Sequence, residues 1–172
     1  MFLATPPLAG PALRFGWLLD PFMLPRRVES PTEIVKYPDC FVCGDRNPIG
    51  LQVKFFAKGE TAVAEYTVGD RYEGYKGLFH GGLIAALLDE IMIKAVLAKD
   101  LIVLTAQMDI RFKKPVAVGQ KILLEGKMAS RKGRLIITTG TARRPDGTKV
   151  AESTGKYILA DSKTTQKLKA SL

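Results

Sequence analysis

One stretch constrains the fold more than any other: "GGLIAALLDEIMIKAVLAK", residues 81 to 99. It is rich in Ala, Leu, Ile and Met, and no proline interrupts it. It has the length of about four or five helical turns, so it is expected to be a helix. Its apolar surface runs nearly all the way round, broken mainly by Asp89, Glu90 and Lys94. A helix of that kind does not lie on a surface; other elements must wrap it.

The flanking sequence supplies candidates. Upstream, "LQVKFFA" (51–57) and "ETAVAEYTV" (60–68) read as two strands joined by Lys58-Gly59. Residues 68 to 79 are glycine-rich and read as a loop. Downstream the period becomes two. In "LIVLTAQMDIRFKK" (101–114), Ile102, Leu104, Ala106, Met108, Ile110 and Phe112 alternate with Thr105, Gln107, Asp109, Arg111 and Lys113. That pattern predicts a long half-buried strand. Simple alternation puts Thr105 on its polar side. "QKILLEGKM", "LIITTGTA" and "TKVAESTGKYIL" follow as three more strands, separated by the turns "SRKGR" and "RPDG". Two strands, one buried helix and four strands make an α+β fold, an antiparallel sheet wrapped around one long central helix. One sheet covers only one side of such a helix, and sheet edges remain open. Both features favour a dimer.

Residues 1–36 hold six of the ten prolines and show no steady period, so they are expected to be an N-terminal tail. Residues 37–161 form the domain, and 162–172 a polar C-terminal tail. No apolar run reaches the length of a membrane span, and the start lacks the basic head of a signal peptide. Two cysteines are too few for a disulfide framework. These features predict a cytoplasmic protein with no membrane partner. The net charge of +9 favours anionic partners. Its basic residues are dispersed and not interleaved with aromatics, so no nucleic-acid partner is expected.

The chemistry concentrates in "GYKGLFHGGLIAALLDE", residues 74 to 90, which contains the single histidine of the chain. The first N–H groups of a helix have no internal partners, and the dipole makes that end partly positive. Gly81 and Gly82 let an oxygen approach closely there, which suits a developing oxyanion. The same glycines also suit a tight turn into the helix. Asp89 lies eight residues beyond Gly81, a rise of ~12 Å and a turn of ~800°. It cannot act on a carbonyl held at the N-terminus of its own helix. Two antiparallel helices across a two-fold axis would bring Asp89 of one chain to Gly81 of the other. Glu90 has Lys94 four residues on, the favourable order for a helical ion pair. Asp89 has no such local partner. Either donors elsewhere capture it, or it is there to work. His80 lacks companions for a metal site and reads as a positioning residue that holds the Gly81 amide in place. The Cys-x-x-Cys at Cys40 and Cys43 sits in loop-like sequence and reads mainly as packing, with redox and zinc roles less favoured. No metal and no cofactor are expected.

Three segments together, "GYKGLFHGGLIAALLDE", "MDIRFKKPVAVGQKILLEGKM" and "CFVCGDRNPIGLQVKFF", resemble the hotdog-fold acyl-CoA thioesterases. The likeness is greatest to the phenylacetate-pathway and 4-hydroxybenzoyl-CoA thioesterase-like group, and it covers about residues 40 to 160. It implies a hotdog fold and hydrolysis of an acyl-CoA thioester, with Asp89 as nucleophile or base and the Gly81 N–H as oxyanion donor from the other subunit. It implies His80 and Thr105 as further catalytic-site residues. Gly82, Phe112 and the turn Arg131, Lys132, Gly133 and Arg134 are implied to contact substrate, the basic turn matching the phosphates of coenzyme A. The assembly implied is a homodimer, with a tetramer of two dimers left open. One departure stands out. Six residues before the histidine some relatives place an amide, and here the residue is Gly74. A non-catalytic acyl-CoA-binding domain is the alternative that this departure leaves.

Overall fold

The computed structural model describes residues 30–171. Among them, seven strands form one antiparallel sheet: β1 (Thr32–Glu33), β2 (Phe55–Lys58), β3 (Thr61–Thr67), β4 (Val103–Phe112), β5 (Lys121–Lys132), β6 (Leu135–Arg143) and β7 (Lys149–Leu159). Their spatial order is β1-β2-β3-β5-β6-β7-β4. The strand that follows the helix in sequence therefore lies at an edge.

Helix α1 (Gly81–Leu97) packs on one face of this sheet, chiefly over β5 and β6. Leu87, Leu88, Ile91, Met92 and Val96 are fully buried, so the all-round apolar pattern is used on several sides. Truncating one of them, as in Leu87→Ala, would cost about 2–5 kcal/mol.

Strand β4 departs from the expected alternation. A bulge between Thr105 and Gln107 shifts its register against β7. Before the bulge, Val103 is buried and Leu104 is 52% exposed. After it, Met108 and Ile110 are the half-buried residues. An extra residue in a strand moves the following side chains to the opposite face. The apolar series from Ile102 to Phe112 therefore does not share one face. Thr105, expected on the polar side, turns toward the helix.

Three other segments differ from the sequence reading. Residues 30–36 do not form a tail: Thr32 and Glu33 pair with β2, and Ile34 is buried. The rest of the expected tail lies outside the described residues. Residues 51–54 are not part of β2. Leu51 and Val53 instead donate backbone N–H bonds to Phe41 O and Val42 O, tying the cysteine loop to the sheet. The C-terminal segment forms helix α2 (Ser162–Lys169), whose first turn is capped by the Asp161 carboxylate accepting from Thr164 N–H at 2.7 Å. No helix among the described residues is long and apolar enough to cross a membrane.

Candidate active site

The two ends of the first half of α1 carry different chemistry. At the start, His80 is the N-cap, and its Nδ1 accepts the Gly82 N–H at 2.9 Å. An accepting Nδ1 carries no proton, which leaves the neutral imidazole with its N–H at Nε2. The His80 carbonyl accepts from Leu83 N–H and Ile84 N–H. The Gly81 N–H has no partner among the described residues. The histidine thus fixes Gly82 directly, where Gly81 was expected. Gly81 is exposed, and a side chain there would begin 3.8 Å from the Phe112 ring. That ring is itself 55% exposed, so Phe112 stands beside the free N–H as an apolar wall.

Gly74 faces this corner. A Cβ on it would come within 3.2 Å of His80 Cα and Cδ2. The position that holds an amide in some relatives is therefore in contact with the histidine here, but offers it no polar group.

Two turns further along the helix, Asp89 is held by hydroxyls. Tyr157 OH donates to Asp89 Oδ1 at 2.8 Å. Thr105 Oγ1 donates to the same oxygen at 3.0 Å and lies 3.3 Å from Oδ2. Both bonds converge on Oδ1, so Oδ2 is the oxygen with spare lone pairs. The bulge in β4 is what delivers Thr105. Donors elsewhere in the fold thus capture Asp89, yet leave it half-buried, with Oδ2 the less firmly bonded oxygen.

The sequence reading missed Tyr157. It is fully buried in β7, and burial, followed by the nearby Asp89 charge, pushes its phenol well above the ordinary value near 10. The phenol therefore stays a donor. Its ring lies over Gly155, where a Cβ would approach Tyr157 Cε2 to 2.3 Å. The signal available was Gly155-Lys156-Tyr157: a glycine and an aromatic two apart share one strand face, and the ring fills the space left empty.

The basic turn lies at the Asp89 end of the sheet. Leu135 pairs with Ile158, which lies opposite Leu104. Strand β5 runs through Arg131 and Lys132, so the turn itself is Gly133 and Arg134. Arg134 donates twice to Leu159 O, at 2.9 and 3.1 Å, and Arg131 Nε donates to Gly133 O at 3.1 Å. All four residues are exposed. No hydrogen bond among the described residues joins them to Asp89 or Gly81 of the same chain, and a cleft of about 780 Å³ is lined by other residues such as Phe56, Val63 and Leu123.

A second polar cluster adjoins Asp89. Glu90 and Lys94 form the expected ion pair at 3.3 Å, but Lys94 is 1% exposed and also donates to Val35 O at 2.6 Å. Cys40 Sγ, Cys43 Sγ and a Glu90 carboxylate oxygen all lie within 4.8 Å of one another. The Cys43 thiol donates toward Cys40, which holds the Cys40 thiol down to about 6 and pushes Cys43 up.

Sequence and fold agree on the class. Residues 76–151 match the thioesterase superfamily model, and the helix and sheet that carry this segment share the hotdog fold of solved thioesterase superfamily proteins. Acyl-coenzyme A thioesterase THEM4 of Bos taurus is 27% identical over 143 residues, 81% of this chain and 58% of that protein. The chain thus spans little more than half the length of this curated relative. Among solved structures, the thioesterase superfamily protein RHA08564 superposes with a TM-score of 0.68 at 28% identity, covering 70% of this chain and 60% of that one. The PaaI protein of Escherichia coli, from the phenylacetic acid degradation operon, superposes with a TM-score of 0.61 over 64% of this chain and 81% of its own, at 18% identity.

Proposed function

We propose that the protein is an acyl-CoA thioesterase whose sites are each assembled from two chains. The observation that carries this reading is the state of Asp89: a half-buried carboxylate whose Oδ1 is held by Tyr157 and Thr105 while Oδ2 is left with spare lone pairs. The name of the bovine relative supports the substrate class.

In this reading the thioester carbonyl oxygen sits on the Gly81 N–H of a second copy, at the positive end of its helix. Asp89 Oδ2 either takes a proton from a water that attacks the carbonyl carbon, or attacks that carbon itself to give an acyl-aspartyl anhydride that water then hydrolyses. The C–S bond breaks, the coenzyme A sulfur takes up a proton, and the free acid leaves. His80 fixes the Gly82 N–H and so the pitch of the first turn, which aims the Gly81 N–H outward. Phe112 supplies an apolar wall beside it. Arg131 and Lys132 at the end of β5 and Arg134 in the turn provide cations for coenzyme A phosphates.

The pairing of copies follows from β4. It is an edge strand with Leu104 and Phe112 exposed, next to a helix N-terminus that is itself open. An edge of this kind favours pairing with another chain. A homodimer built there would cover these residues, and the distance along α1 from Gly81 to Asp89 requires the second copy for a complete site.

A panel of aromatic and fatty acyl-CoAs, read by release of free thiol, tests the activity. Turnover of one class, lost in Asp89→Asn, is the expected outcome. Tight acyl-CoA binding with no turnover across the panel would instead support the non-catalytic reading that Gly74 leaves.

A further inference from the structure

The cluster of Cys40, Cys43 and Glu90 has no part in the thioesterase chemistry, and its geometry asks for an occupant. Its three candidate ligand atoms lie within 4.8 Å of one another, close enough for a single ion to touch all three. The loop is shaped around the first sulfur. Val42 N–H and Cys43 N–H both point at Cys40 Sγ, at 3.3 and 3.5 Å. Gly44 closes the turn by donating to Cys40 O at 2.9 Å, and a Cβ there would lie 2.3 Å from Pro38 O, so the turn admits only glycine. Backbone N–H groups converging on a sulfur stabilise it as a thiolate, the form that binds metal.

We propose that Cys40, Cys43 and Glu90 bind one zinc ion, with the fourth position open to the adjoining cleft. Two thiolates and one carboxylate around a borderline-soft divalent ion match a three-ligand zinc site that keeps an exchangeable position. The charges balance: three negative ligands face the divalent ion and the buried Lys94 ammonium, which contacts Glu90. Binding replaces the proton on each cysteine that is still a thiol, and these protons leave to solvent. The fourth position faces a cleft of about 280 Å³ lined by Tyr37, Leu97, Leu101 and Leu168 as well as Cys40 and Glu90. A water fills it in the simplest case. The site ties the segment before β2 to the middle of α1, at the residue that follows Asp89.

Cysteine spacing alone does not reveal this site, because the third ligand lies far along the chain on the helix. A two-cysteine loop looked short of ligands unless a second chain supplied more.

The test uses the full chain and zinc itself, and it is independent of thioester turnover. After reduction and reconstitution, elemental analysis is expected to give one zinc per chain. Cobalt substituted at the site is expected to show a thiolate-to-cobalt charge-transfer band with the ligand-field bands of a tetrahedral ion. Cys40→Ser and Cys43→Ser should abolish the charge-transfer intensity in stages, and Glu90→Gln should weaken binding. In the unsubstituted chain, zinc should protect both cysteines from alkylation, a readout that needs no variant to fold. Absence of stoichiometric zinc, equal binding by the cysteine variants, or alkylation unaffected by zinc would each overturn the proposal.

Discussion

The two halves of the candidate site are finished to different degrees. At the Asp89 end, everything needed to orient the carboxylate lies in one chain: a tyrosine from β7, a threonine delivered by a bulge in β4, and a helix packed over the sheet. At the Gly81 end the histidine cap satisfies Gly82, and the Gly81 N–H before it stays unpaired among the described residues, beside an exposed phenylalanine. In the proposed function the first is the reagent held in place, and the second the open receptor. On that reading a chain that completes only one of the two needs a second copy to complete the other. The difference matters because the less-bonded Oδ2 and the open Gly81 N–H lie on separate faces of one helix, two turns apart.

The largest effect should come from the reagent. Asp89→Asn keeps the shape and can still accept from Tyr157, but loses the charged oxygen. Steady-state kinetics should show kcat falling about 100-fold or more with little change in thermal melting. Retained activity would mean that the comparison assigns the wrong end. Gly155→Ala should rank next as a structural perturbation, because the new methyl meets the Tyr157 ring. A stability loss of about 1–3 kcal/mol, read by denaturant unfolding, is expected from overpacking at this site.

Tyr157→Phe sharpens the comparison more finely. It removes one donor to Asp89 and leaves Thr105, so a fall in kcat of about 10-fold is expected with KM little changed, along with about 1–2 kcal/mol of stability. The same variant changes the alkaline limb. The folded phenol titrates above its unfolded value near 10, so its contribution is fully present below pH 10 and is lost as pH rises beyond it. Melting temperature should therefore decline above about pH 10 in the parent and less steeply in Tyr157→Phe. Lys132→Ala should give the smallest effect, a rise of a few-fold in KM for acyl-CoA that disappears at high salt.

Much of the fold was legible because its signals are local. The helix declared itself by composition, and the strands by period two and by turn residues. The site was legible where it rests on helical geometry: the separation of Gly81 from Asp89 follows from the rise per residue alone. What escaped depended on events at a distance. The bulge at Ala106 leaves no mark in an alternating pattern, yet it decides which face Thr105 takes. Tyr157 becomes a partner of Asp89 only because Gly155 makes room and the sheet order puts β7 beside β4. The capped helix after Asp161 carried a signal, an aspartate three residues before Thr164, in a segment too polar to suggest packing. Glu90 joined the cysteines through tertiary structure, which spacing along the chain does not record.

The composite site is tested most directly by mixing two inactive chains. Asp89→Asn removes the reagent, and Gly81→Val obstructs the receptor at a position where a side chain has room to start. Each homodimer should be inactive. Unfolded together and refolded, half of the dimers are mixed, and each mixed dimer regains one intact site from the unmodified Asp89 of one chain and the unmodified Gly81 of the other. Recovery of about a quarter of the parent activity is the expected result. A mixture as inactive as its components, with mixed dimers shown to be present, would contradict it.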